Sequence, residues 1–269
     1  MRRLGTKITT SGEHKINIAA TKPAAAWIEE GGALTFGDAT FGQILLDAHK
    51  LHVAIKVTEE LLYDNAFNLE NYIITQFGKA LSNAEEDAFI NGKGVSADST
   101  QTPSEPTGIL TTLVTPSVLT KNAATISFDD VYKLFYALKA PYRQKAKFLC
   151  NETALLQLML LKDGNGQYIW KPGIEVGKPD TILGHQVYTS TYMPAIEGAP
   201  ATDAGKKVLL FGDFSYYWIA DRTNRTMRRL NELYAMTDQV GFVGTQRVDG
   251  KLILPEAMKV LGMGAAANG

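Results

Sequence analysis

Residues 65–92 read NAFNLENYIITQFGKALSNAEEDAFING, and their spacing sets the frame for the rest of the chain. Phe67, Tyr72, Ile73, Phe77, Ala80, Leu81, Ala84, Ala88 and Phe89 recur at intervals of three and four, the pattern of a helix with one apolar face. Asn91-Gly92 ends the pattern, because these residues tolerate the left-handed backbone with which helices close. At ~1.5 Å per residue, about 25 residues make a rod of roughly 37 Å, long enough to serve as the spine of a domain. Glu85, Glu86 and Asp87 read as the solvated face of that rod, with ion pairing to another subunit as the sharper alternative.

Upstream the period changes from helical to two. Leu51, Val53, Ile55 and Val57 alternate with Lys50, His52, Ala54 and Lys56, which predicts a half-buried strand. A preceding run from Thr40 to Leu46 is expected to pair with it through Asp47-Ala48-His49, giving a long hairpin that carries Lys50 and Lys56 on its polar face. A two-stranded hairpin is marginal alone, so its neighbour is expected to be another subunit. Residues 1–30 are polar and alanine-rich with no sustained apolar face, and read as an arm that needs a partner.

Downstream, Gly92 to Pro106 is a loop rich in glycine, serine, threonine and proline, with a domain boundary nearby. Ser127 and Asp130 have the spacing of a capping box, ahead of an apolar face of Val131, Leu134, Phe135 and Leu138 that Pro141 ends. A strand is expected at Lys147 to Cys150, then a helix capped by Asn151 and running through Leu161. Asp163-Gly164-Asn165-Gly166 turns the chain into Gln167-Tyr168-Ile169-Trp170. Later strands are expected at His185 to Thr189, Lys207 to Gly212 and Tyr216 to Ala220, and in two long runs either side of Asp249-Gly250. The class is α+β, without internal repeats.

Composition and motif spacing argue against most chemistry. The 269 residues are 45% apolar, and 27 basic against 28 acidic side chains leave a formal charge of −1, so no overall basic field draws nucleic acid. The single cysteine, Cys150, reads as a small core residue. No apolar run approaches the ~18 residues of a membrane helix, and Arg2-Arg3 is not followed by a signal-peptide core. His49 and His52, three apart on a strand, point to opposite faces and cannot chelate together. The calcium-loop mimic that starts at Asp163 has Tyr168 where glycine is needed and Ile174 where a glutamate is needed. Gly92-Lys93-Gly94 and Gly205-Lys206-Lys207 lack the spacing of a phosphate loop. No catalytic, metal or cofactor residues are assigned. The densest basic group is Arg222, Arg225, Arg228 and Arg229; in a plain strand Arg222 and Arg228 share one face, Arg225 and Arg229 the other. It reads equally as a solvated face with scattered ion pairs and as a surface for acidic neighbours or phosphates.

The order of features carries a resemblance. Ala26-Trp27-Ile28-Glu29-Glu30-Gly31, then Thr40-Phe41-Gly42, then Lys56-Val57-Thr58-Glu59-Glu60-Leu61-Leu62 resemble the start of the phage capsid family. So do Ala88-Phe89-Ile90-Asn91-Gly92-Lys93-Gly94, Glu105-Pro106-Thr107-Gly108-Ile109-Leu110 and Leu160-Leu161-Lys162-Asp163-Gly164-Asn165-Gly166-Gln167-Tyr168. The resemblance covers nearly the whole chain. It implies a Hong Kong 97-like fold: an N-terminal arm at 1–33, an extended E-loop hairpin at 34–57, a peripheral domain from 58–112 and 222–256, and an axial domain from 113–221 and 257–269. It further implies a structural, non-enzymatic major capsid protein of a tailed phage, self-assembling through hexamers and pentamers into an icosahedral shell in the host bacterial cytoplasm. Implied partners are other copies of the chain, portal and scaffolding or decoration proteins, and packaged double-stranded DNA held without sequence-specific contacts; no cofactor and no membrane are implied. Candidate inter-subunit residues are Trp27, Lys50, Leu51, Val53, Ile55, Lys56, Val57, Arg222, Arg225, Arg228 and Arg229. Some family members join an E-loop lysine to an asparagine of a neighbour, with a glutamate as proton acceptor. Lys50 or Lys56 matches the lysine, but the late strand Asp238 to Thr245 holds neither asparagine nor glutamate, so crosslinking is not expected. The rival from the same fold is a bacterial nanocompartment shell, which genome context separates. A hydrolase with a dispersed active site is the rival from another class, and its sign would be one deep pocket of convergent polar groups.

Overall fold

A computed structural model describes residues 1–12, 14–19, 41–63, 69–95, 104–168 and 180–265. The chain opens with β1 (Thr6–Thr9), β2 (His14–Ala19), β3 (Phe41–Leu46) and β4 (His49–Thr58), then α1 (Glu59–Tyr63) and the long α2 (Leu69–Asn91). Next come α3 (Ile109–Thr112), β5 (Val118–Leu119), α4 (Phe128–Ala137), α5 (Ala140–Arg143), β6 (Lys147–Cys150) and α6 (Glu152–Met159). The remainder is β7 (Thr181–Ile182), β8 (His185–Thr189), α7 (Pro200–Asp203), β9 (Lys207–Gly212), β10 (Tyr217–Leu230), β11 (Gln239–Leu252) and β12 (Met258–Gly262).

Three sheets organise these elements: β1-β10-β11-β4, β5-β12-β9-β6-β8-β7 and the two-stranded β2-β3. Helix α2 lies on the four-stranded sheet because its buried positions Ile73, Phe77, Leu81, Glu85 and Phe89 form one row at steps of four. Gly244 of β11 makes room for it: a Cβ there would stand 3.1 Å from both Phe77 and Val53. Val57, Val240, Phe242, Ile73 and Phe77 close this layer as one apolar cluster. The row omits Tyr72, Ala80 and Ala84, which are exposed, so the apolar stripe is narrower than the sequence pattern suggests.

Around the six-stranded sheet the local signals act as read. Ser127 Oγ accepts from Asp130 N (3.3 Å) and Asp130 Oδ2 accepts from Ser127 N (3.1 Å), so the capping box starts α4. Asn151 Oδ1 accepts from Thr153 N to start α6. Val131, Leu134 and Leu138 pack with Phe148, Cys150 and Phe211, whose two rings stack at 4.3 Å. Burial pushes the Cys150 thiol up to about 12. The native chain is therefore expected to resist a thiol-specific reagent at pH 8 and to react fully in guanidinium; rapid native labelling would contradict this core position.

The strand pairing corrects the sequence reading at two places. Phe41–Leu46 pairs with His14–Ala19, not with His49–Thr58, which joins β11 along its whole length. A hairpin does form, but its strands flank residues 20–40; Asp47-Ala48 marks the passage from one sheet to another, not a hairpin turn. Asp249-Gly250 separates no strands either. It lies within β11, where Gly250 faces Ala220's neighbour Ile219 and β10 continues unbroken opposite. The reversal falls instead at residues 231–238.

Candidate functional site

Six of the candidate residues lie on β4. Leu51 and Val53 are half-buried toward α2, Val57 is buried in its own chain's cluster, and Ile55 is 44% exposed. Lys50 and Lys56 stand exposed, with Lys56 Nζ 5.2 Å above the Tyr234 ring. Leu51, Val53, Ile55 and Val57 thus share the face turned to the chain's own helix, with Ile55 left partly exposed on it, and Lys50 and Lys56 project from the opposite face. Trp27 lies outside the described residues, as do parts of the expected arm and hairpin.

The arginines divide between two faces. Arg225 and Arg229 share the α2 side: Arg225 Nη2 meets Glu85 Oε2 at 3.2 Å and Arg229 Nη1 lies 3.8 Å from Glu70. Arg228 is exposed, and it lines the opposite surface with Lys50 and Arg247. Two irregularities between Asp221 and Thr226 break the alternation of β10, and Arg222 reaches Asp47 Oδ1 at 3.6 Å.

The charge network beneath Arg225 was not read from the sequence. Glu85, expected on a solvated face, is 2% exposed and pairs within the chain. Arg2 forks onto two carboxylates: Nε and Nη2 donate to Glu85 (2.6 and 3.0 Å), and Nη1 and Nη2 donate to Asp221 (both 2.7 Å). Hydrogen bonds to Asp221 foremost hold the Arg2 guanidinium above its already high ordinary value. Arg225 Nε donates to the buried Gln246 at 2.6 Å. One sequence signal was available: Glu85 falls in register with Ile73, Phe77, Leu81 and Phe89, where a carboxylate is buried only if paired. The network ties the amino-terminal segment, the middle of α2 and the start of β10 together.

A second buried carboxylate fixes the junction between β3 and β4. Asp249 is fully buried and accepts from Asp47 N (2.9 Å) and Gly250 N (2.7 Å). His49 Nε2 lies 3.6 Å from it without a hydrogen bond. Desolvation raises the Asp249 carboxyl above its ordinary value, offset in part by Lys251. Gly250 admits the packing beside it, since a Cβ would stand 2.6 Å from the Tyr217 hydroxyl and 2.8 Å from Phe89.

The motifs around Gly92 and Gly108 are explained by a chain crossing. Gly108 N donates to Gly92 O (2.8 Å) and Thr107 N to Gly250 O (2.9 Å), so residues 106–108 pass directly over the end of α2. A Cβ on Gly92 would strike the carbonyl oxygens of Pro106 and Ala88; one on Gly108 would stand 2.6 Å from Ile90 O and Gly92 N.

None of this arrangement resembles a reaction centre. Among the described residues no group of three or more histidine, cysteine, aspartate or glutamate side chains is placed to hold a metal ion. No described helix is long and apolar enough to cross a membrane. Two open depressions among the described residues share a lining that includes Arg2, Glu85, Asp221 and Arg225, which pair with one another.

A family model described as the phage capsid family matches residues 1–263. The chain is similar to a solved structure titled as the capsid of a native GTA particle, with a TM-score of 0.82 and 25% identity over 98% of this chain and 89% of that one. It has the same fold as chains from Gordonia phage Cozz (TM-score 0.73, 16% identity, 98% and 86% covered) and Mycobacterium phage Adephagia (0.71, 15%, 98% and 88%). No curated protein matches it.

Proposed function

Because the chain belongs to the phage capsid family, with its Hong Kong 97-like fold, and is a structural protein that builds an icosahedral shell from capsomers, we propose that these capsomers are hexamers and pentamers enclosing double-stranded DNA. The observation that carries the reading is the β2-β3 ladder, which has no third strand among the described residues. Isolated two-stranded ladders are marginal in water, so a neighbouring subunit is the natural cover. In this reading 1–33 form the arm and 34–57 the E-loop, with β2 of the arm paired to β3 of the E-loop. Residues 58–112 and 222–256 make the peripheral domain around α2, and 113–221 with 257–269 the axial domain around the six-stranded sheet. Trp27, Lys50, Leu51, Ile55, Lys56 and Arg228 serve contacts between subunits; Val53, Val57, Arg222, Arg225 and Arg229 support those contacts from within. Portal, scaffolding or decoration proteins complete the particle, which assembles in the host bacterial cytoplasm and ends as the virion capsid.

Negative-stain electron microscopy of the purified full chain tests this directly: rings of five or six subunits, or closed shells, are expected. A folded chain that stays monomeric with its scaffolding partner supplied would sink the reading. Ile55→Asp is expected to leave the circular dichroism spectrum unchanged and to lower particle yield severalfold; wild-type yield would remove Ile55 from any interface.

A further inference from the structure

Between β3 and β4 the chain leaves one sheet for another within two residues, Asp47 and Ala48, so the direction of the β2-β3 ladder relative to the long sheet is set at this joint. Three polar contacts brace it. Asp47 N donates to Asp249 Oδ2 at 2.9 Å, Lys251 Nζ donates to Leu45 O at 2.6 Å, and Arg222 Nη1 lies 3.6 Å from Asp47 Oδ1. A fourth brace is positioned but not made. His49, the first residue of β4, holds its Nε2 out of solvent 3.6 Å from Asp249 Oδ1, and that nitrogen has no hydrogen-bond partner among the described residues. An unmatched polar atom in a protein interior is costly, and each one calls for a reason.

A neutral imidazole carries one proton on either nitrogen, whereas the imidazolium carries both, so with one proton added Nε2 is a donor in every arrangement. Asp249 Oδ1 accepts from Gly250 N at 2.7 Å and has a lone-pair site left for a second donor. An approach of about 0.8 Å closes the gap to the length of a charge-assisted bond, and the proton then belongs to the pair, not to either residue. Charged and titratable groups face the pair from several elements. Lys251 of β11 stands 3.9 Å from Asp249 Oδ2, Arg247 lies across from Lys50, β10 supplies Arg222 and the buried Tyr217, and the joint supplies Asp47. Across a depression of about 230 Å³ stand Glu85 and Asp87 of α2 and Glu105 of the segment before α3. Burial outweighs the nearby Lys251 and holds the Asp249 carboxyl above its ordinary value. Such a group binds its proton more tightly in the closed joint than in one opened to water, so acid favours closure, and closure weakens as the pH rises through the raised value.

We propose that His49 and Asp249 form a pH-sensitive catch on the β3-β4 joint: an added proton draws the imidazole onto the carboxylate and fixes the direction of the β2-β3 ladder, and its loss leaves the joint free to swing. The far side of the joint is anchored independently, because Gly250 O accepts from Thr107 N where the chain crosses the end of α2. Movement is thereby confined to the β3 side. The catch lies within one chain, needs no neighbouring copy, and stands apart from whether the chain forms shells.

Hydrogen-exchange mass spectrometry of the full chain at about pH 5.5 and about pH 8, the span in which imidazole ordinarily titrates, tests the catch once intrinsic exchange rates are divided out. Amides of residues 45–50 are expected to be about tenfold better protected at the lower pH, while those of α4 and β6, remote from the joint, change less than about twofold. His49→Gln keeps a polar side chain but takes up no proton, and is expected to remove the difference at 45–50; Asp249→Asn is expected to do the same from the other side. A wild-type joint equally protected at both pH values would overturn the catch, as would a folded His49→Gln chain that retains the difference. A change of the same size throughout the wild-type chain would assign the effect to global stability and overturn it too.

Discussion

Gly108→Ala is expected to leave no soluble native chain. A Cβ at this position stands 2.6 Å from both Ile90 O and Gly92 N and 2.7 Å from Ile90 C, and all three are backbone atoms that no rotamer change moves away. Relief requires lifting residues 106–108 off the end of α2, which breaks the bonds from Gly108 N to Gly92 O and from Thr107 N to Gly250 O. Beneath them lie Phe89, Ile90, Ile109 and Tyr217, all nearly or fully buried in one cluster. Overpacking a core costs about 1–3 kcal/mol, and each orphaned buried backbone group adds about 1–3 more, which together approach the whole stability of a domain. Soluble expression and differential scanning calorimetry check this; a soluble variant melting within about 3 °C of wild type would show that the crossing is slack.

Glu85→Ala is expected to lower the melting temperature by about 5–10 °C without preventing folding. The substitution strips Arg2 of two of its four carboxylate hydrogen bonds and Arg225 of its carboxylate partner. Breaking a fully buried pair costs about 3–5 kcal/mol, but the Arg2 and Arg225 side chains remain 26% and 40% exposed and regain water, so about 2–3 kcal/mol is the appropriate scale. At roughly 2–4 °C per kcal/mol for a chain of this size, that gives the stated shift. Glu85→Gln keeps the shape and part of the hydrogen bonding and is expected to lose less than half as much. Equal losses in the two variants would mean that the charge alone fixes this position, with no contribution from the side chain's shape or the hydrogen bonds an amide retains.

What could be read in advance was what the chain encodes locally. The row of α2, the Ser127 and Asp130 cap, the Asn151 cap and the β6 strand each depend on residues within a few positions of one another. The partner of Phe41–Leu46 was missed because it lies at His14–Ala19, across residues 20–40, whereas the nearer run offered an equally good alternation. Asp249-Gly250 looked like a turn because that dipeptide is a strong hairpin signal. Its actual role is set by distant chain: Asp47 N seeks the carboxylate, and Phe89 and Tyr217 need the missing Cβ. Of the candidate surface, the arginine group was visible as composition, but the two irregularities in β10 that aim Arg222 elsewhere were not. The most informative residue, Glu85, was hidden by its acidic neighbours Glu86 and Asp87, although its register with Leu81 and Phe89 marked it for burial.

The way the amino-terminal segment is fastened has a mechanical consequence. Thr6–Thr9 runs parallel to Trp218–Asp221, and the fork of Arg2 grips Glu85 and Asp221 just ahead of it. Tension applied to the chain beyond Thr9, along the strand, pulls across the ladder's hydrogen bonds side by side and on the guanidinium behind them. Such a joint is loaded in shear, so it gives way in one event at high force instead of peeling bond by bond, and a tug on the arm is passed into the spine helix and the long sheet strand before the joint itself lets go.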